Sequence, residues 1–215
     1  MKCDRKTLCL YAVTDRAWVG AQSLAEQVES ALKGGVTCVQ LREKDLPEAA
    51  FIEEAKEIRE ICHRYGVPLF INDNVHVALA CQADGIHVGQ DDRSVSSLRE
   101  MAGQSMMIGV SVHSVKEARE AEKAGADCLG AGAVFSTSTK RDTRVLSKEV
   151  LYEICEAVSI PVVAIGGIGR ENLRELSGTG IAGVALVSAI FGAKNIEAES
   201  RYLKALSMEV TQRIF

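Results

Sequence analysis

The chain has 215 residues, 47% of them hydrophobic and 25% charged, with a mean hydropathy of +0.06; these are the proportions of a soluble globular protein and exclude disorder and low complexity. Net charge is −4 and the isoelectric point about 5.7, with Lys and Arg spread along the chain, so no basic face marks nucleic acid as a partner. One large domain, 1–215, is the simpler partition at this length.

Short apolar runs alternate with amphipathic stretches from one end to the other. The runs are Leu8–Val13, Cys38–Leu41, Pro68–Ile71, Gly85–Val88, Met107–Val110, Cys128–Ala131, Pro161–Ile165 and Gly183–Val187. Between the first three lie helix patterns at 24–32 and 49–58, apolar at three- and four-residue spacing. Gly34-Gly35, Gly66 and Gly125 each stand just before a strand, where glycine closes a helix. Strands that are apolar throughout are buried on both faces, a property of parallel sheets crossed over by helices. Eight such units predict an α/β fold, a single-domain (β/α)₈ TIM barrel with brief loops. An open doubly wound sheet is disfavoured because no G-x-G-x-x-G follows the first run.

No secretory leader and no membrane span is expected from two stretches that invite the question. The apolar run after Lys6 stops at Asp15, too soon for a secretory leader. The uncharged stretch 176–193 is too broken by Gly and Ser to span a bilayer. Seven cysteines, an odd number without C-x-x-C spacing, read as small buried hydrophobes kept reduced. A cytoplasmic setting without membrane contact is expected.

In a barrel the chemistry belongs at the C-terminal ends of the strands and in the loops after them. Gln40, Arg42 and Lys44 alternate along the second strand, so they share a face while Leu41 and Glu43 point away. Asp73 and Asp92 close adjacent strands, and two carboxylates held close call for a cation. Magnesium suits them, since it takes one or two carboxylates and fills its octahedron with water and phosphate oxygens. With Arg42, Lys44, Lys140 and the Asn72 amide, these residues describe a pocket for a magnesium diphosphate. Gly166-Gly167 and Val187-Ser188 follow the seventh and eighth strands, where barrels hold a phosphate on backbone N–H groups. Two anion sites across one mouth suggest group transfer between two phosphorylated substrates.

The motifs Leu10-Tyr11-Ala12-Val13-Thr14-Asp15, Val39-Gln40-Leu41-Arg42-Glu43-Lys44, Ile71-Asn72-Asp73, the run 83–92, Gly109-Val110-Ser111-Val112-His113, Thr137-Ser138-Thr139-Lys140 and Ala164-Ile165-Gly166-Gly167-Ile168 resemble the thiamine phosphate synthase family over nearly the whole chain. That family joins hydroxymethylpyrimidine diphosphate to thiazole phosphate on a (β/α)₈ barrel with Mg²⁺, releasing pyrophosphate. The resemblance implies that Gln40, Arg42, Lys44, Asn72, Ser111 and Lys140 hold the pyrimidine diphosphate, with Asp73 and Asp92 on its magnesium, and it counts Leu41 and Glu43 among the substrate-binding residues. It implies that Thr137, Ser138, Thr139, Gly167, Val187 and Ser188 hold the thiazole phosphate, and gives catalytic roles to Lys44, Ser111 and Lys140. Ser136 stands where the family often has proline. His87 and His113 fall inside matching motifs and read as structural. The implied mechanism is departure of diphosphate followed by attack of the thiazole nitrogen, so positioning and electrostatics do the work. Three alternatives share the barrel: a thiazole tautomerase-like paralogue, which would not need Asp92 and Lys140; a phosphosugar epimerase; and a noncatalytic phosphate-binding barrel. The sequence leaves oligomeric state open, a homo-oligomer included.

Overall fold

The computed structural model describes residues 3–90, 92–137 and 145–212. Eight parallel strands close on themselves in sequence order: β1 (Leu10–Val13), β2 (Cys38–Leu41), β3 (Leu69–Asn72), β4 (Gly85–Val88), β5 (Met107–Val112), β6 (Cys128–Gly132), β7 (Val162–Ile165) and β8 (Gly183–Leu186). This is the expected (β/α)₈ barrel. The predicted runs match the strands to within one or two residues: those for β1, β3 and β7 begin one or two residues early, that for β8 ends one residue late, and the remaining differences are extensions at the C-terminal ends. There β3, β5 and β6 extend into Asn72, Ser111-Val112 and Gly132, polar or small residues that an apolar criterion leaves out.

The helices are α1 (Leu24–Lys33), α2 (Glu48–Arg64), α3 (Val75–Ala80), α4 (Val95–Ala102), α5 (Val115–Lys123), α6 (Lys148–Ala157), α7 (Ser188–Phe191) and α8 (Ile196–Thr211). Most begin at a Ser or Asn whose side chain accepts a backbone N–H of the first turn: Ser23, Asn74, Ser94, Ser114, Ser147 and Asn195. After β7 the crossover is not an α-helix at all. A one-turn 3₁₀ helix, Leu173–Leu176, stands there, and α8 packs beside it as well as against α1 and α7.

Alternation along the strands separates two cores. Leu10, Ala12, Val39 and Leu41 face outward into the layer under the helices. Tyr11, Val13, Cys38, Phe70, Met107, Cys128, Val163 and Ala185 fill the barrel interior. The seam is formed by β1 and β8, paired Leu10↔Val184, Tyr11↔Ala185 and Ala12↔Leu186. Gly183 sits on that seam so tightly that a Cβ there would lie 1.9 Å from the Leu8 carbonyl oxygen. None of the seven cysteines is in a disulfide, and five are buried. Burial pushes the Cys62 and Cys155 thiols up to about 12, which removes them as nucleophiles near neutral pH. Among the described residues no helix is long and apolar enough to cross a membrane.

Candidate functional site

At the C-terminal mouth of the barrel lies a cavity of about 440 Å³, lined by residues at or after the ends of all eight strands. From the β2 to β5 side come Gln40, Arg42, Lys44, Asn72, Asp73, His87, Gly89, Gln90, Asp92, Ser111 and His113. From the β6 to β8 side come Gly132, Ala133, Thr137, Ile165, Gly166, Gly167, Ile168, Ala185, Val187 and Ser188.

The alternation read along β2 survives in the coordinates. Gln40 faces inward and is buried, and its amide donates to the Tyr11 hydroxyl at 3.0 Å. Tyr11 is itself fully enclosed, and burial holds its phenol well above its ordinary value, so it stays a neutral anchor. Arg42 reaches the cavity wall with Nη1 3.1 Å from Asp15 Oδ2, while its backbone N–H donates to Thr14 Oγ1 at 2.9 Å. Its charge is therefore already shared with a carboxylate, which the sequence pattern does not reveal. Lys44 stands exposed on the rim with no ion pair among the described residues.

Two of the expected contact residues turn the other way. Leu41 is buried in the outer core, and the nearly enclosed Glu43 carboxylate accepts from Arg16 at 2.9 and 3.0 Å. Neither side chain lines the cavity, because odd and even residues of a strand cannot share a face. The side chains of Leu41 and Glu43 are thus turned away from the cavity, Leu41 into the outer core and Glu43 onto Arg16.

Asp73 and Asp92 line the same cavity. Neither is a helix cap, since Asn74 and Ser94 take that role for α3 and α4. Asp73 has φ 61°, a left-handed conformation uncommon outside glycine, and its Oδ2 accepts from Asn72 Nδ2 at 2.5 Å. Its backbone N–H donates to the His87 carbonyl at 2.9 Å. Asp92 Oδ2 accepts from the Gly89 N–H at 2.7 Å. Among the described residues no three acidic, thiol or imidazole groups converge into a protein-only metal cage. Two hard oxygen donors with room beside them instead match a cation that completes its shell from substrate and water. The residues present fit a hard divalent cation of that kind.

Across the mouth, Gly166 and Gly167 both take left-handed φ, 96° and 67°. Their strand end is tied to that of β6, with Val134 donating to the Ile165 carbonyl at 3.0 Å and Phe135 to the Gly166 carbonyl at 3.1 Å. Val187 and Ser188 open α7, the short additional helix before α8, in the place where barrels seat phosphate. Thr137 lies at the cavity edge. Ser138, Thr139 and Lys140 lie outside the described residues.

Several lining residues escape a sequence reading. Val13, Ile165, Ile168 and Ala185 give the cavity its apolar wall and look like any other barrel side chain in the sequence. Gln90 reaches from the loop after β4 to donate to the Ser111 carbonyl at 2.6 Å; its place in the loop is visible in the sequence, its partner is not.

Comparison with known proteins follows this geometry. A family profile described as thiamine monophosphate synthase matches residues 10–190. The thiamine-phosphate synthase of Clostridium acetobutylicum is 45% identical over 194 residues, covering 90% of this chain and 92% of its own. That of Pyrococcus abyssi is 46% identical over 206 residues, with 96% and 98% covered. Among solved structures, the thiamine phosphate pyrophosphorylase from Pyrococcus furiosus superposes with a TM-score of 0.90 at 42% identity, over 97% of this chain and 99% of that one.

Proposed function

The chain belongs to the thiamine monophosphate synthase family, and on that premise we propose that its barrel mouth joins hydroxymethylpyrimidine diphosphate to thiazole phosphate, giving thiamine monophosphate and pyrophosphate. It is an enzyme of thiamine biosynthesis, a transferase acting on small molecules. The observation that carries the substrate assignment is one cavity with two unlike anion-receiving walls. Arg42, Lys44, Asn72 and two carboxylates stand on one side, and glycine backbone with a helix start on the other.

On this reading Gln40, Arg42, Lys44, Asn72, Ser111 and Lys140 hold the pyrimidine diphosphate, and Asp73 with Asp92 hold Mg²⁺. Leu41 and Glu43 would touch substrate only through their main chain. Thr137, Ser138, Thr139, Gly167, Val187 and Ser188 hold the thiazole phosphate. Held by Asp73 and Asp92, magnesium would supply positive charge to offset that of the departing diphosphate. The C–O bond between the pyrimidine methylene and the diphosphate breaks, and its electron pair leaves with pyrophosphate. The thiazole nitrogen then gives its lone pair to that carbon, leaving a positively charged ring nitrogen. No proton is removed in either step, so the absence of a dedicated base among Gln40, Asn72 and Ser111 is no obstacle. Lys44 and Lys140 stabilise the growing charge, and the apolar wall holds the two rings in line.

The same proposal takes residues 1–215 as one catalytic domain and sets it in the cytoplasm, supported by cysteines that form no disulfide. The tautomerase-like alternative is not favoured, because the matched relatives are synthases. Incubation with both substrates and Mg²⁺ should release pyrophosphate, and either substrate alone should not. No pyrophosphate from the complete mixture overturns the reading; full turnover in EDTA overturns its metal.

A further inference from the structure

His87 lies on β4 with its imidazole turned into the barrel, buried to 7% exposure. Its Nε2 is 3.1 Å from the Ser111 hydroxyl. The ring meets Tyr11 edge-on, with centroids 6.4 Å apart and planes at 68°. Two glycines on the following strands make room for it. A Cβ on Gly109 would lie 2.4 Å from His87 Nδ1, and one on Gly130 3.2 Å from Cε1.

A slot of this shape, closed by an aromatic edge and two bare backbones, would take a hydrocarbon ring equally well. What the imidazole adds is a nitrogen aimed at one hydroxyl on the cavity wall. A serine hydroxyl on its own has three staggered settings and a freely turning proton. Hydrogen-bonded to an imidazole nitrogen, it has one setting, with its remaining hydrogen-bonding capacity facing the cavity. The backbone of the same residue is pinned as well, by Gln90 on the Ser111 carbonyl. Ser111 is thus held at both its main chain and its side chain, each time by a residue of β4 or the loop after it.

We propose that His87 is a positioning residue that sets the Ser111 hydroxyl toward the pyrimidine diphosphate. This rests on the reading of Ser111 as a contact for that substrate. On this inference the effect of His87 on the pyrimidine diphosphate passes through Ser111.

The test compares His87→Phe, His87→Gln and His87→Asn, each with Ser111 intact and with Ser111→Ala, in steady-state assays with Mg²⁺ and each substrate varied in turn. Gln carries its amide to the place of Nε2, whereas Asn ends near Nδ1. With Ser111 intact, the Phe and Asn variants should lose roughly 3–10-fold in kcat/KM for the pyrimidine diphosphate, the range of one neutral hydrogen bond. Gln should restore most of it, and KM for the thiazole phosphate should not move. With Ser111→Ala, none of the His87 changes should cost anything further. Losses that persist in the Ser111→Ala background, or a Gln variant no better than Asn, overturn the inference and leave the proposed function standing. An unimpaired Ser111→Ala enzyme overturns both the inference and the role given to Ser111. If the Phe variant does not fold, the Gln and Asn pair decides alone.

Discussion

Gly167→Ala tests the β7 wall of the cavity most directly. The residue has φ +67°, and a Cβ built there would stand 2.4 Å from the Ser136 carbonyl oxygen and 2.8 Å from that of Phe135. Carbon and carbonyl oxygen rest at about 3.3 Å or more, so the loops after β6 and β7 must part by about 0.9 Å. Both obstructing atoms are backbone, and no rotamer change relieves them. The left-handed conformation alone costs alanine about 1–2 kcal/mol. At roughly 2–4 °C per kcal/mol for a chain of this length, the melting temperature should fall by roughly 2–8 °C. A displacement near 1 Å at a binding wall can cost on the order of 10² in rate, so kcat/KM for thiazole phosphate should fall by about 10- to 100-fold, with KM for the pyrimidine diphosphate much less affected. Gly169→Ala is the control, since φ there is ordinary and nothing lies within 4 Å of its Cβ. Thermal melts and kinetics with each substrate varied in turn give both readouts. If the Gly167 variant melts and turns over like the Gly169 variant, the loop pairing does not shape the phosphate wall and the argument fails.

Asp92→Ala should lower turnover by at least 10²-fold with only a small fall in melting temperature, since its carboxylate lines the cavity, caps no helix and gives up one hydrogen bond, from the Gly89 N–H; Mg²⁺-dependent activity equal to the parent's would refute its metal role. Lys44→Ala should cost about 10²–10³ in kcat/KM through the pyrimidine diphosphate, by the worth of one preorganised charge contact, and an equal loss on thiazole phosphate would place Lys44 at the wrong end. Lys140→Ala is expected to behave as Lys44→Ala does, with the same pair of KM measurements as the check. Glu122 on α5 accepts from the Ser159 hydroxyl at 2.6 Å and from the N–H groups of Ser159 and Ile160 at 2.8 and 3.2 Å, and these bonds hold its carboxyl below the usual 4.5. Its stabilisation is present above that usual value and is lost as pH falls through the lower folded one. Glu122→Gln should therefore lower the melting temperature at pH 7, with the gap closing in acid; a gap independent of pH refutes the linkage.

What was legible in the sequence follows from range of interaction. The strands were readable because burial on both faces leaves an apolar run, and Gln40, Arg42 and Lys44 because a strand repeats every two residues. Asp73 and Asp92 could be placed together because consecutive strands of a barrel are neighbours. The crossover after β7 could not be read, since Leu173–Leu176 is too short to show a helical period. Nor could the pairing of Arg42 with Asp15 or of Glu43 with Arg16, which depends on how the loops after β1 and β2 fold over each other. His87 read as a structural histidine because its partner is a hydroxyl on the next strand and its space is made by missing side chains at Gly109 on that same strand and at Gly130 on β6.

The pairing of β1 with β8 bears on how the molecule is made. Leu10 and Val184 stand 174 positions apart, so the last row of ladder bonds waits until nearly the whole polypeptide has left the ribosome. Until then the nascent seven-stranded sheet has two bare edges, each a template for a stranger's strand. Synthesis rate and chaperone cover over the stretch encoding residues 166–186 should therefore govern yield more than the same perturbations placed earlier in the message.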